Sequence, residues 1–411
     1  MLENRWRNDP ELARGSLRTF IDNQRDDGGF RGYIDLAHYR QEMFYHARWG
    51  RALTALHAVH PSPSFLREAC NGLAAYARYF DRERDAERSG LYDIDNHYET
   101  GQEYMHRYTA VDPRADRDNW GNVFRLKGVD VTVYIYELKR ALAAATRALG
   151  SPGEAGEWDR DADRIREAVR ARMWDPAEQM FFDVNPATGE RTGVKAATCF
   201  YPYMTDIAGM EHRTGLTRHL LNRAEFWTPF PVPSSSMDDP TFCDEPEWKG
   251  KRMNCPWNGR VWPMTNSHVA DALASAALAS GDPALRGTTA AFIRTYLTMM
   301  FFDGDAARPN SFEHYNPVTG QPSAYRGIDD YQHSWVVDLI LSYVCGIRPE
   351  PGGVIIDPFP FGLERASVDN VVICGRRFRV AIAGKRFTVW VDGTRRASGP
   401  LGTPARIDMK G

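Results

Sequence analysis

Paired amphipathic segments separated by irregular loops run through most of this 411-residue chain. No other feature constrains its fold as much. Apolar residues recur at i, i+3 and i+4 in residues 10–24, 39–59, 62–82, 128–149 and 153–174, and again in 265–281, 284–300 and 329–346. Shorter segments of the same kind lie at 197–209 and 212–224. That period is the one a helix with a buried face requires. Ser62 followed by Pro63 reads as an N-cap with proline at the first helical position, and Pro61 closes the preceding segment. No unit of fixed length repeats, which argues against a solenoid. Consecutive helical hairpins, joined by loops rich in Gly, Pro, Asp and Asn, predict an all-α fold of the α/α toroid type. In such a fold inner helices turn one end toward a common pocket.

From about residue 350 the period changes to two. The stretches GGVIIDPFPFG, DNVVICGRRFRVAIAG and KRFTVWVDG alternate apolar with polar residues and are β-branched, with Gly384-Lys385 as a hairpin turn. The expected division is a helical domain over 1–348 and a small antiparallel β element over 349–411 that carries no catalytic residue. Within the helical part, residues 230–256 form a long irregular stretch, of the kind that usually walls or covers a pocket.

A hydrophobic content of 43% and a charged content of 26% are those of a globular protein, and the net charge of −3 favours neither nucleic acid nor anionic membrane. No apolar run approaches transmembrane length, and the N-terminal MLENRWRNDPELARG lacks the apolar core of a signal peptide. A cytoplasmic location is expected, with oligomeric state open. Six cysteines are scattered without a CxxC pair or a His cluster, so neither a metal site nor a cofactor is expected; Cys243 and Cys255 are close enough in sequence to pair in a loop.

Two segments carry the chemistry. Glu99-Thr100-Gly101-Gln102-Glu103-Tyr104-Met105-His106-Arg107-Tyr108 and Phe312-Glu313-His314-Tyr315-Asn316-Pro317 each set a carboxylate among aromatic and hydrogen-bonding side chains. Hydrolysis of a glycosidic bond needs two carboxyl groups facing each other across it. One must stay protonated, which an apolar setting such as Tyr104, Met105 and Tyr108 favours; the other must be ionised and hold a water. Sugar hydroxyls are held by planar charged groups and stacked rings. Candidates for that task are Tyr104, Arg107, Asp130, Trp257, Asn258, Arg260, Trp262, His314, Tyr315 and Trp335.

The segment ETGQEYMHRY resembles the Glu-Ser-Gly-Trp-Asp-Phe-Ser-Ser-Arg-Trp motif of trehalases and the Glu-Ser-Gly-x-Asp motif of glycoside hydrolase family 63. That family includes processing α-glucosidase and mannosylglycerate hydrolase. Five further segments follow in the same order: WGNVFRLKGVDVTVYIYELKRAL, CFYPYMTDIAGM, PFPVPSSSMDDP, WNGRVWPMTNSHV, and FEHYNPVTGQ followed by YQHSWVVDLIL. The resemblance spans about residues 10–346. It implies an (α/α)6 barrel and an inverting α-glycoside hydrolase acting on a glucosyl- or mannosyl-type small carbohydrate. In it Glu103 stands at the general-acid position and Glu313 at the general-base position. The chain departs from the motif at Glu103, where the family has the shorter Asp.

Two other readings keep the barrel. A sugar isomerase like N-acylglucosamine 2-epimerase would use a histidine pair, and His46, His106, His268, His314 and His333 lie in candidate pocket segments. A pseudoglycosidase would bind sugar without turnover, a reading the Asp-to-Glu departure favours. Asp93, Asp95 and Asn96 resemble a cation loop but lack EF-hand spacing, and read as loop caps.

Overall fold

The computed structural model describes residues 1–34, 39–40, 47–116, 124–245, 256–301, 305, 307, 312–323 and 335–409. Its helices are α1 (Glu11–Asp22), α2 (Trp49–Val59), α3 (Pro63–Glu83), the single turn α4 (His106–Thr109), α5 (Val129–Ala148), α6 (Pro152–Ala168), α7 (Pro263–Ser280), α8 (Pro283–Met299) and the short α9 (Val336–Leu339). Wider π turns extend α6 over Val169–Met173 and α9 over Ile340–Val344. The expected segments at 197–209 and 212–224 are a 3-10 helix over Ala197–Met204 and a π turn over Leu216–Leu220.

The caps follow from the sequence. Ser62 accepts the Phe65 N–H at the start of α3, with Pro63 in the first turn. Asp282 does the same for Ala284 and Leu285 ahead of α8. Burial separates two kinds of helix. Residues 129–136 of α5 and 265–274 of α7 are buried without interruption, whereas α6 and α8 are buried along one face. A helix apolar all round belongs inside and a one-sided helix covers it. The α5–α6 and α7–α8 hairpins are therefore inner–outer pairs.

One expected helix is shorter than its pattern. The amphipathic period began at residue 39, but Tyr39–Arg40 pairs with Tyr33–Ile34 as a small antiparallel ribbon, and α2 starts at Trp49. Docking onto α5 fixes that start. The Arg48 guanidinium is buried between Glu137 (2.6 Å) and Asp271 (2.7 Å), and a Cβ at Gly50 would lie 2.5 Å from the Glu137 carbonyl oxygen. Tertiary contact overrides local preference here. At the N-terminus, the 3-10 turn Glu3–Trp6 reaches α9. The Trp6 indole N–H donates to Asp338 at 2.7 Å, and Arg5 pairs with the same carboxylate. The first and last helical elements thus meet.

The C-terminal strands form two antiparallel sheets. Gly353–Ile356 lies between Ile347–Glu350 and Ala405–Asp408, and the strands Arg365–Ile373, Arg376–Ala383, Arg386–Val391 and Thr394–Pro400 form a four-stranded meander. Gly384-Lys385 is the turn between two of these, and the Asp392-Gly393 turn takes positive φ at both residues, as a tight hairpin requires. Their apolar faces enclose a second core that also takes in Val59, Leu341 and Cys345 from the helical part. Among the described residues no helix is long and apolar enough to cross a membrane. Cys243 carries a free thiol, and Cys255 lies outside the described residues.

Candidate active site

The Glu103 loop rests on a buried charge cluster. Asn96 caps the 3-10 turn His97–Thr100 by accepting the Tyr98 N–H, and Gly101 ends it with φ 66°. Within that turn Glu99 meets Arg84 at 2.5 Å and accepts the Asp95 N–H at 3.2 Å, while Arg84 also meets Asp95 at 2.6 Å. One guanidinium therefore serves two carboxylates. Burial pushes Glu99 up to about 7 in spite of Arg84, and Asp95 adds to the rise. Arg84 is held more firmly protonated although burial opposes it, because both carboxylates act on it whereas Glu99 receives a share of one cation.

A stability effect follows from the Glu99 proton. The folded chain keeps it between the ordinary 4.5 and about 7, where the unfolded chain has lost it. That contribution is full below the lower value and is lost as pH rises through the higher one. Urea unfolding followed from pH ~4.5 to ~7.5 should show a smaller decline with rising pH for Glu99→Gln than for the wild type. An equal decline in both would place the proton elsewhere.

After Gly101 the chain turns sharply. Tyr104 takes φ 62°, a left-handed conformation that costs a non-glycine residue about 1–3 kcal/mol. Its N–H donates to His97 Nδ1 at 3.2 Å and its hydroxyl meets that of Tyr98 at 2.9 Å, so the ring is committed to the loop. This turn presents Glu103, whose Oε2 accepts the Trp257 indole N–H at 3.1 Å. Asn258 closes the other side. Its Oδ1 accepts the His106 N–H at 2.8 Å and its Nδ2 donates to the Tyr104 carbonyl at 3.3 Å.

Glu313 lies at a bend two residues before the Tyr315 bridge and is 8% exposed. Tyr315 pairs with Val261 through two backbone hydrogen bonds of 2.9 Å, and its hydroxyl accepts the Phe312 N–H at 2.8 Å. Arg260 donates from Nε to His314 Nδ1 at 2.7 Å, and from its outer nitrogens to the Asp244 and Gln321 carbonyls. Arginine has donors only, so His314 Nδ1 accepts and the ring proton sits on Nε2. Burial lowers the Arg260 guanidinium to about 10 even with Asp244 nearby. Trp257 stacks on Trp262 at 3.5 Å and 6°, and Trp262 lies 4.8 Å from the His314 ring. The two carboxylate segments, distant in sequence, thus join through one aromatic stack.

Several candidates have other partners than the sequence suggested. Arg107, expected to clamp sugar hydroxyls, is 0% exposed. Four hydrogen bonds of 2.8–2.9 Å tie it to Asp130 and Asp183. Asp130, likewise expected to hold sugar, is the buried acceptor of two of them. These residues form an internal carboxylate–guanidinium–carboxylate tie between α4, the start of α5 and the loop at 183. Tyr104, Asn258, Arg260 and Tyr315 also make backbone and loop contacts. Asp183 was not anticipated, and nothing in FFDVNP distinguishes it.

Trp335 packs edge-on against His268 at 4.6 Å and lines a cavity of about 290 Å³ with Glu3, Arg48, Trp49, Tyr134 and Met264. His268 has both ring nitrogens bonded, to the Tyr134 hydroxyl and the Met264 carbonyl, and burial lowers it to about 3. His46 and His333 lie outside the described residues. Asp95 and Asn96 serve the loop itself, and Asp93 pairs with Lys127 at 3.3 Å.

Residues 1–334 match the family described as the mannosylglycerate hydrolase MGH1-like glycoside hydrolase domain. Among solved structures, a sialidase aligns over 98% of this chain with a TM-score of 0.81 and 18% identity, and the chain spans 36% of that protein. The family 63 mannosylglycerate hydrolase of Thermus thermophilus in complex with glucose aligns over 83% of this chain and 90% of its own, with a TM-score of 0.63 and 21% identity. The neutral trehalase of Saccharomyces cerevisiae aligns over 80% and 67%, with a TM-score of 0.56 and 14% identity. At these identities the structural likeness is one of fold.

Proposed function

Because the chain belongs to the mannosylglycerate hydrolase MGH1-like glycoside hydrolase family, we propose that it hydrolyses an α-glycoside of glucosyl or mannosyl type with inversion, Glu103 acting as general acid and Glu313 as general base. The observation that carries the assignment is the aromatic stack. Glu103 is bonded to Trp257, Trp257 lies flat on Trp262, and Trp262 packs against His314 beside Glu313. That link between the two segments supports a single site for both carboxylates.

The chemistry runs as follows. The Trp257 N–H binds Oε2 of Glu103, and Oε1 carries the proton to the glycosidic oxygen as the C–O bond breaks. Glu313 takes a proton from a water that attacks the anomeric carbon from the opposite face. Inversion needs the two carboxyl groups about 6.5–9.5 Å apart. Tyr104, Met105 and Tyr108 are buried in the loop that carries Glu103, a setting that favours a protonated acid, and Trp335, which lines a cavity, offers a sugar-facing surface. The inner–outer helix pairs and the junction of Glu3–Trp6 with α9 support a closed (α/α)6 barrel over 1–348, with 349–411 as an appendage. No metal or cofactor enters this scheme.

Proton NMR of the first product decides between the readings. From α-glucosides and α-mannosides the β-anomer should appear first. The α-anomer first would mean retention and a different role for Glu313. Binding without turnover would favour a pseudoglycosidase, and an epimerised free sugar an isomerase.

A further inference from the structure

Between residues 102 and 108 the chain opens to solvent at two side chains, Glu103 and His106, while Gln102, Tyr104, Met105, Arg107 and Tyr108 are buried. Both open side chains flank the Trp257–Asn258 turn, which bonds Glu103 through the indole and His106 through its backbone N–H. His106 is therefore presented beside the acid. It stands where the trehalase-type motif has Ser, so its reach is a property of this chain.

The imidazole is held rigidly. His106 Nδ1 lies 2.8 and 3.0 Å from the two carboxylate oxygens of Asp239, in the long loop after residue 230. Asp239 is in turn fixed by the Thr241 N–H at 2.8 Å and the Thr241 hydroxyl at 2.7 Å. Burial alone would push Asp239 up, but the hydrogen bonds from His106 and Thr241 outweigh it and hold the carboxyl below its ordinary value. A carboxylate accepts, so Nδ1 carries a proton, and in the neutral ring Nε2 then presents a lone pair. The Asp239 side chain is 5% exposed against 23% for His106, and no described residue bonds Nε2. An acceptor is thus aimed outward beside the group that protonates the leaving oxygen.

We propose that His106, oriented by Asp239, is a specificity-determining residue on the leaving-group side, where its Nε2 accepts a hydrogen bond from a hydroxyl of a polyol or sugar leaving group. The inference rests on Glu103 being the acid and adds the class of leaving group. A serine at this position would be too short to reach as far, and an imidazole without Asp239 would have no fixed tautomer.

The test compares α-glucosyl and α-mannosyl disaccharides with the matching glycosyl fluorides, whose leaving group has no hydroxyl. In His106→Ala and Asp239→Ala the ratio of kcat/KM for disaccharide over fluoride should fall about 3- to 10-fold, the range of one neutral hydrogen bond. His106→Gln, which restores an acceptor, should recover part of that ratio. Nitrogen-15 NMR of the imidazole should report the Nδ1–H tautomer in the wild type and its loss in Asp239→Ala. Losses of equal size on both substrates, or a wild-type Nε2–H tautomer, would overturn the proposal while leaving the hydrolase assignment intact. Wild-type protein that cleaves neither substrate would instead overturn the acid assignment, and the leaving-group role with it.

Discussion

Glu103→Gln should lower kcat/KM on a glycoside with an alcohol leaving group by about 10²–10⁴-fold, and Glu313→Gln should cost a similar factor. What distinguishes the two is rescue. Fluoride departs without a proton, so a glycosyl fluoride should restore much of the activity of Glu103→Gln. Glu313→Gln should gain nothing, because the attacking water still needs its base. Azide added to Glu103→Gln should give no glycosyl azide of retained configuration, since no covalent intermediate awaits it in an inverting reaction. Rescue of Glu313→Gln alone would show that the roles are exchanged, and equal rescue of both that they are not divided in this way. The longer acid side chain need not weaken the scheme. The left-handed turn at Tyr104 and the Trp257 bond set where the Glu103 carboxyl lies.

Arg107→Ala should be the most destabilising single change near the site. It would leave Asp130 and Asp183, both 1% exposed, facing each other without the Arg107 guanidinium. Removing one partner of a buried ion pair costs about 3–5 kcal/mol, and here two carboxylates lose theirs. Lysine should not restore the loss, because a single ammonium cannot reproduce four hydrogen bonds to two planar carboxylates. The combined variant Arg107→Met, Asp130→Asn, Asp183→Asn should unfold at higher urea than Arg107→Ala, since no charge is left stranded. Burial already pushes the Asp183 carboxyl upward despite Arg107. A loss below about 1 kcal/mol for Arg107→Ala, the range of a surface pair, would mean that water enters the tie.

The helices were legible where local rules decide them. The Ser62-Pro63 start, the ends of α5, α7 and α8, and the change of period near 350 all follow from caps, proline and spacing. The start of α2 was not, because Arg48 and Gly50 obey α5, a partner whose position no local pattern records. The same limit governs the site. Both carboxylate segments stood out by composition, yet an arginine four residues after Glu103 looked like a sugar clamp until Asp183 was seen beneath it. Asp239 escaped notice for the same reason: its partner His106 lies in another segment. The left-handed backbone at Tyr104 is invisible in sequence, since Tyr is not a residue that usually adopts it.

The seam between the helices and the C-terminal strands limits what could replace those strands. Val59 and Leu341 pack into the strand core, the Val59 carbonyl accepts the Cys374 N–H at 2.8 Å, and Arg286 of α8 grips Asp357 at 2.7 Å. A rearranged gene that joined another module after residue 348 would leave apolar side chains wet and an arginine without its acid. Any successor must offer the same complement of grease and charge at that boundary.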